Sequence, residues 1–204
     1  LDTDDILTVK NINQYVIDTL NSEIEYKYYN TGNNLELKQI INGYKGVIYG
    51  SYIKTKEGIK VIEFNSRFGD PESINLFELM ETDINEIMIN MFSKTLDKIG
   101  IDFKNEYSLC KYIVPEGYPC NSVKDSEIFI EDVNHDKLIF SSVELKGDQY
   151  IQKGSRILAY VCIGNNLNDL IKESESELKK IYGLIHYRND IGRDIFNLIL
   201  TNTN

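Results

Sequence analysis

Apolar residues first recur at helical spacing over residues 11–20, where Ile12, Val16, Ile17 and Leu20 share one side. Residues 26–34 are polar apart from their tyrosines and carry Gly32, which reads as a loop; residues 35–41 suit one short helix. Two β-rich runs follow, at residues 46–54 and 59–65. Lys56, Glu57 and Gly58 between them spell a hairpin turn, Gly58 supplying a left-handed backbone. Asp70, Pro71 and Glu72 then have the order of an N-cap, a first helical position and an acidic first turn. The helix they open shows Ile74, Phe77, Ile84, Ile87, Met88 and Met91 on a recurring apolar face. A second start at residues 81–83 divides it in two. After a boundary at residues 99–106 the pattern shortens to strands at 109–114, 128–130, 138–143, 150–152 and 157–163, with turns at 117–119 and 146–148. A helix over 167–181 is capped by Asn165 or Asn166, and another short helix closes the chain at 194–200. The second half therefore reads as a small antiparallel sheet carrying one main helix.

Composition narrows the function classes. A length of 204 residues suits one or two domains, and 42% hydrophobic with 26% charged residues is an ordinary globular balance. A net charge of −10 argues against nucleic acid as a partner, because coating phosphates needs a basic face. Neither an apolar run long enough to span a membrane nor a signal peptide is visible. Cys110, Cys120 and Cys162 are too few and too scattered for a disulfide scaffold or a metal site, and read as small buried hydrophobes. They and the acidic composition point to a reducing, cytoplasmic setting. The chain opens at Leu1 rather than Met, which suggests a piece of something longer. The acidic run Lys172–Glu177 reads as a solvated helix face.

Chemistry concentrates at residues 61–72. Along a strand, Ile62 and Phe64 point one way, into a core, while Glu63 and Asn65 point the other way together. Arg67 joins them if the strand persists. A carboxylate and an amide at that spacing offer hard oxygens to one cation, and Mg²⁺ shares such ligands with phosphates. An arginine beside them can clamp phosphate oxygens. A half-exposed strand with a polar outer face, followed by a capped helix, would show the same residues for purely structural reasons. Strand end, glycine loop and helix N-terminus in succession nevertheless bring backbone N–H groups and the helix dipole toward one place, which suits anions.

The contiguous run Glu63-Phe64-Asn65-Ser66-Arg67-Phe68-Gly69-Asp70-Pro71-Glu72, preceded by Gly46–Tyr49 and Lys60-Val61-Ile62, resembles the phosphoribosylamine–glycine ligase (glycinamide ribonucleotide synthetase) family of the ATP-grasp superfamily. Gly117-Tyr118-Pro119, Gly154-Ser155-Arg156-Ile157-Leu158 and residues 186–193, His186 to Arg193, resemble further motifs of that family. The likeness covers nearly the whole chain and is weakest before Asn42.

The resemblance implies an α+β fold. Residues 1–104 would be the second part of an ATP-grasp domain, an antiparallel sheet with helices that carries the metal and phosphate site. Residues 105–204 would be a small antiparallel β-rich terminal domain. It implies Glu63 and Asn65 as ligands of Mg²⁺ (or Mn²⁺), Arg67 and Gly69 as cofactor-binding residues, and Arg67 and Asp70 as catalytic. The implied reaction consumes ATP, glycine and 5-phosphoribosylamine through glycyl phosphate. Such enzymes are about twice this length, so the amino-terminal half would be supplied in cis or in trans, and this chain alone would be inactive. His186 and Arg188 read as structural, with Arg188 and Asp190 pairing across a turn. Departures from the family include Ser66, Ser73 and residues 26–34, and Lys111 and Glu116 in a segment that is usually more apolar and glycine-rich. Another ATP-grasp carboxylate–amine ligase would share Glu63 and Asn65 but not the later motifs. A non-catalytic ATP-grasp-derived binding module is the remaining alternative.

Overall fold

The computed structural model describes residues 2–23, 44–193 and 195. The expected loop at 26–34 and helix at 35–41 lie outside these residues, as does nearly all of the expected helix at 194–200. The described elements are α+β, with every strand pairing antiparallel. They fall into two compact units, Leu1–Gly69 with Asn85–Ile99, and Asp70–Ile84 with Gly100–Asn204.

In the first unit, helix α1 (Thr3–Glu23) starts well before the apolar periodicity does. Asp2 Oδ1 accepts from the Asp5 N–H at 2.9 Å and Asp5 Oδ2 from the Asp2 N–H at 3.0 Å, a reciprocal cap that satisfies two orphan donors. Strands β1 (Tyr49–Thr55) and β2 (Gly58–Asn65) form the hairpin, and Gly58 has φ +98° as its turn requires. Asn13 of α1 accepts from the Tyr52 hydroxyl, and Lys54 pairs with Asp2 and Asp5. Helix α3 (Ile84–Ser93) completes the unit, its Phe92 carbonyl accepting from Lys45 Nζ at 2.7 Å.

The second unit opens with α2 (Glu72–Leu79). The break between the two helices falls where the sequence places it. Met80 turns extended and bridges Phe103, while Thr82 Oγ1 accepts from the Asp102 N–H at 2.8 Å. The remaining strands are β3 (Tyr107–Pro115), β4 (Glu127–Ile130), β5 (Leu138–Phe140), β6 (Val143–Lys146), β7 (Gln149–Gln152), β8 (Leu158–Gly164), β9 (Ile181–Gly183) and β10 (Ile185–Tyr187), with helix α4 (Leu167–Leu178) between β8 and β9. They make two four-stranded sheets, ordered β10-β3-β8-β5 and β6-β7-β4-β9, rather than the single small sheet expected. The run at 138–143 is two strands in two different sheets, because Ser141 and Ser142 carry the chain across, hydrogen bonded to Ile157 and Arg156. The helix expected to reach residue 181 stops at Leu178, since Ile181 is taken by pairing with Ile130.

Both faces of β3 and β8 are covered. Leu109, Ile113, Leu158, Tyr160 and Cys162 share a core with Leu167, Leu170, Ile171 and Leu178 of α4. Cys110, Ala159 and Val161 face the other way, with Ile74 of α2 packed on them. This alternation decides what β3 presents to each side. Lys111 points to α4, where its ammonium meets Glu175, and it is 1% exposed. Tyr112 points to the α2 side. Glu173 takes the Tyr160 hydroxyl at 2.7 Å and pairs with Lys137, Glu177 pairs with Lys180, and Ser174 is buried. The run 172–177 is therefore not a solvated face, because Glu173 and Glu175 serve as partners for polar groups of β3 and β8, while Glu177 pairs locally with Lys180. Cys110 and Cys162 are buried as expected, but Cys120 is exposed on the turn after Pro119.

Candidate functional site

Strand β2 carries the first group. Its register with β1 slips between Ser51 and Tyr52, so Ile62 is left without a partner opposite, as in a β-bulge. The slip overturns part of the expected alternation: Ile62 is 60% exposed rather than in a core. Phe64 is half-buried and meets Tyr52 edge-on, ring centroids 6.1 Å apart. Glu63 and Asn65 both lie after the slip and keep one face. Asn65 Nδ2 donates to Glu63 Oε1 at 2.8 Å. Glu63 is exposed, and among the described residues no lysine or arginine pairs with it. Glu63 Oε2 and Asn65 Oδ1 remain as hard-oxygen acceptors. That donor set fits a cation such as Mg²⁺ which keeps waters and phosphate oxygens for most of its shell. Among the described residues no three His, Cys, Asp or Glu side chains cluster for a metal held by protein alone.

The strand ends at Asn65, and the backbone bends at Ser66 and Arg67, so Arg67 does not continue the strand face. Its Nη1 donates to the next carbonyl, Phe68 O, at 2.8 Å, and the side chain is exposed. Gly69 is buried.

In the second unit, Asp70 is not the N-cap of α2. Pro71 occupies that position, with no side-chain cap bond, because the Asp70 carboxylate is drawn elsewhere. The Tyr112 hydroxyl donates to Asp70 Oδ1 at 2.8 Å, and Arg156 Nη1 donates to Oδ2 at 2.8 Å and to the Asp70 carbonyl at 2.9 Å. The guanidinium carbon sits 5.4 Å from the Tyr112 ring centroid, within cation–π range. Burial, then the bond to Asp70, holds the Tyr112 phenol above its ordinary range, so it donates as a neutral hydroxyl. Arg156 and Tyr112 were not singled out from sequence. Arg156 stood inside a recognised motif, and Tyr112 gave no sign beyond its place in a β-rich run.

The terminal motif forms the expected pair. Arg188 Nε and Nη2 donate to Asp190 Oδ1 and Oδ2 at 2.9 and 2.5 Å, and this contact holds the Asp190 carboxyl down at about 2.

Comparison with known proteins agrees along most of the chain. Residues 12–73 match the family described as phosphoribosylglycinamide synthetase, ATP-grasp (A) domain, and residues 108–194 match phosphoribosylglycinamide synthetase, C domain. The phosphoribosylamine–glycine ligase of Methanosarcina acetivorans is 42% identical over 150 residues, covering 74% of this chain and 34% of that protein. The ligase of that name from Methanocaldococcus jannaschii is 37% identical over 161 residues, covering 77% and 36%. The chain thus spans about a third of the length of these curated relatives. In fold, the chain is similar to the crystal structure of the Thermotoga maritima phosphoribosylamine–glycine ligase, with a TM-score of 0.61 at 19% identity over 71% of this chain and 36% of that one. On these grounds the chain belongs to the phosphoribosylglycinamide synthetase family, with an α+β fold built from part of its ATP-grasp domain and its C domain.

Proposed function

We propose that this chain is the carboxy-terminal half of an ATP-dependent ligase. The enzyme joins glycine to 5-phosphoribosylamine, giving glycinamide ribonucleotide, ADP and phosphate in purine biosynthesis. The observation that carries the reading is the Glu63–Asn65 pair, joined at 2.8 Å on one face at the end of β2, inside the segment that matches the ATP-grasp family. Glu63 and Asn65 would hold Mg²⁺ (or Mn²⁺), which supplies charge neutralisation for ATP phosphate oxygens. Residues 1–104 then form the second part of the ATP-grasp domain and residues 105–204 the terminal domain. The setting is cytoplasmic; among the described residues no helix is long and apolar enough to cross a membrane.

This chain's own residues contribute mostly position and charge. Arg67 is exposed with one N–H used locally, which leaves further donors for phosphoryl oxygens. Gly69, without a side chain, lets the loop backbone approach a ligand closely. The part proposed for Asp70 in catalysis is indirect: its carboxylate, taken up by Tyr112 and Arg156, fixes the groups beside it rather than touching substrate. The chemistry of the implied reaction is attack by the glycine carboxylate on the γ-phosphate, then displacement of phosphate from glycyl phosphate by the amine.

The test is glycine-dependent ADP release with phosphoribosylamine generated in place. The 204-residue chain alone should show none, since remote substrate contacts supply the positioning energy and an amino-terminal half would provide them. Adding a separately expressed amino-terminal half, or using the joined enzyme, should restore turnover. In that active form Glu63→Gln and Asn65→Ala should each lower turnover by about 10²-fold, most severely at limiting Mg²⁺. Near-normal turnover of Glu63→Gln at limiting Mg²⁺ would overturn the ligand assignment, and robust turnover by the chain alone would overturn the division of the site.

A further inference from the structure

Three motif segments far apart in the sequence meet at one guanidinium. Arg156 contacts Asp70, 86 residues before it, through both the carboxylate and the backbone carbonyl, and Tyr118 of the Gly117-Tyr118-Pro119 turn is a further polar neighbour. The arrangement is built rather than incidental. The Arg156 carbonyl accepts from the Ser142 N–H at 3.0 Å, at the crossover between the two sheets, and the next residue, Ile157, is fully buried. Gly154 allows this packing: a Cβ there would lie 2.4 Å from Ser142 Oγ. Gly117 is equally constrained, with φ +78° and a Cβ position 2.2 Å from the Asn121 carbonyl. Both glycine turns therefore exist to bring backbone close, and both deliver a side chain to this cluster.

The use of donors within the cluster is uneven. Both hydrogen bonds to Asp70 come from Nη1. Asp70 in turn has Oδ1 taken by Tyr112 and Oδ2 taken by Arg156, so its carboxylate is occupied from within the protein. Among the described residues no carboxylate or carbonyl accepts from Arg156 Nε or Nη2; with both Nη1 bonds going to Asp70, the Tyr118 hydroxyl is the remaining polar group beside this edge, and the Arg156 side chain is 37% exposed. The Nε–Nη2 edge is the fork that binds carboxylates and phosphoryl groups with two parallel bonds. Asp70 and the Tyr112 ring fix the plane of that fork in advance, which removes much of the ordering cost of binding. Arg188 shows the contrasting case on the same chain: its Nε–Nη2 edge is already filled by Asp190.

We propose that Arg156 is an oxyanion-binding residue whose Nε–Nη2 edge receives a carboxylate or phosphoryl group, with Asp70 and Tyr112 acting as positioning residues for it. This rests on the ligase reading only for the oxyanion's origin, the carboxylate of glycine or the phosphoryl group of its acyl phosphate.

The experiment uses ¹⁵N-labelled 204-residue chain, whose four arginines give four separate Nε–H signals, with Arg156 assigned by its loss in Arg156→Lys. Glycine and inorganic phosphate are titrated separately at constant ionic strength. A saturable shift of the Arg156 signal, with Arg188 unmoved as internal reference, is expected. Response to glycine assigns the carboxylate, and response to phosphate alone assigns the phosphoryl group. Asp70→Asn should keep the fold and weaken the response about tenfold by freeing the guanidinium. In the joined ligase Arg156→Lys should raise the KM for glycine more than that for ATP. Absence of a saturable shift, or equal shifts at Arg156 and Arg188, overturns the proposal. Loss of turnover in Arg156→Lys without a saturable shift marks a purely structural role and overturns it as well. If the native ligase shows no glycine-dependent turnover while the Arg156 shift saturates, the ligase reading fails and Arg156 stands.

Discussion

Lys111 is a lysine with 1% of its surface exposed, and its ammonium pairs with Glu175 of α4, whose side chain keeps 18%. Removing an ammonium from water costs several kcal/mol, which only a close partner offsets. Breaking the pair from the glutamate side should therefore be expensive: Glu175→Ala leaves a buried lysine unpaired. We expect a loss of about 3 kcal/mol in urea unfolding. Lys111→Met with Glu175→Leu should recover most of it, since apolar packing of similar volume replaces both charges. Equal stability of Glu175→Ala and the native chain would show that the pair carries no weight. The partnership also accounts for a charged residue at an inward-facing position of β3: the charge is tolerated because α4 answers it. At this scale the sequence was legible where partners are near. The Glu63–Asn65 contact follows from a separation of two along a strand, and Arg188–Asp190 from two across a turn. Asp70 has the sequence context of a helix cap and does not act as one, because its partners stand 42 and 86 residues away.

Helix α4 shows how far local rules reach. Asn166 caps it, its Oδ1 accepting from the Asn168 and Asp169 N–H groups at 3.0 and 3.4 Å, so one of the two asparagines named from sequence does the work. Asn166→Ala should cost about 1 kcal/mol. Thermal unfolding should register it, and Asn165→Ala should leave the midpoint nearly unchanged. The far end of α4 was not legible: strand pairing of Ile181 with Ile130 overrides helical periodicity that continues past Leu178. Strand β2 fails in the same way at one position. Strict alternation buries Ile62, and the bulge opposite Ser51 and Tyr52 turns it out, because an extra residue in one strand resets which face its neighbours occupy. The run 138–143 has the pattern of one strand, but the sheets divide it at Ser141 and Ser142.

Across the whole molecule, burial separates residues that look equivalent in the chain. The three cysteines share one expectation from sequence, as small buried hydrophobes, yet Cys110 and Cys162 lie in the β3–β8 core and Cys120, which follows a turn, is exposed. Burial first, with nearby carboxylates second, pushes both core thiols up to about 12, so neither supplies thiolate near neutral pH. A thiol-specific disulfide reagent at pH 8 should therefore titrate one sulfhydryl per native chain and three after denaturation. Cys120→Ser should abolish the fast phase. Fast reaction of a second thiol would mean that the core of the second unit opens readily.

By itself the sequence determined what depends on neighbours in the chain. The hairpin turn at Gly58, the helix break at 80–83, the cap at Asn166 and the shared face of Glu63 and Asn65 are set by backbone geometry and spacing. The contiguous motif from Glu63 to Glu72 pointed to the family for the same reason, since a strand end, loop and helix start are encoded in one stretch. Tertiary structure alone decided the rest. It divided the second half into two sheets, turned an acidic run into partners for Lys111, Lys137 and Tyr160, and carried Tyr112 and Arg156 to Asp70. Those outcomes depend on which distant strands pair and which face each then presents. A side chain's partner across a sheet is fixed by register, and register belongs to the folded chain rather than to any segment of it.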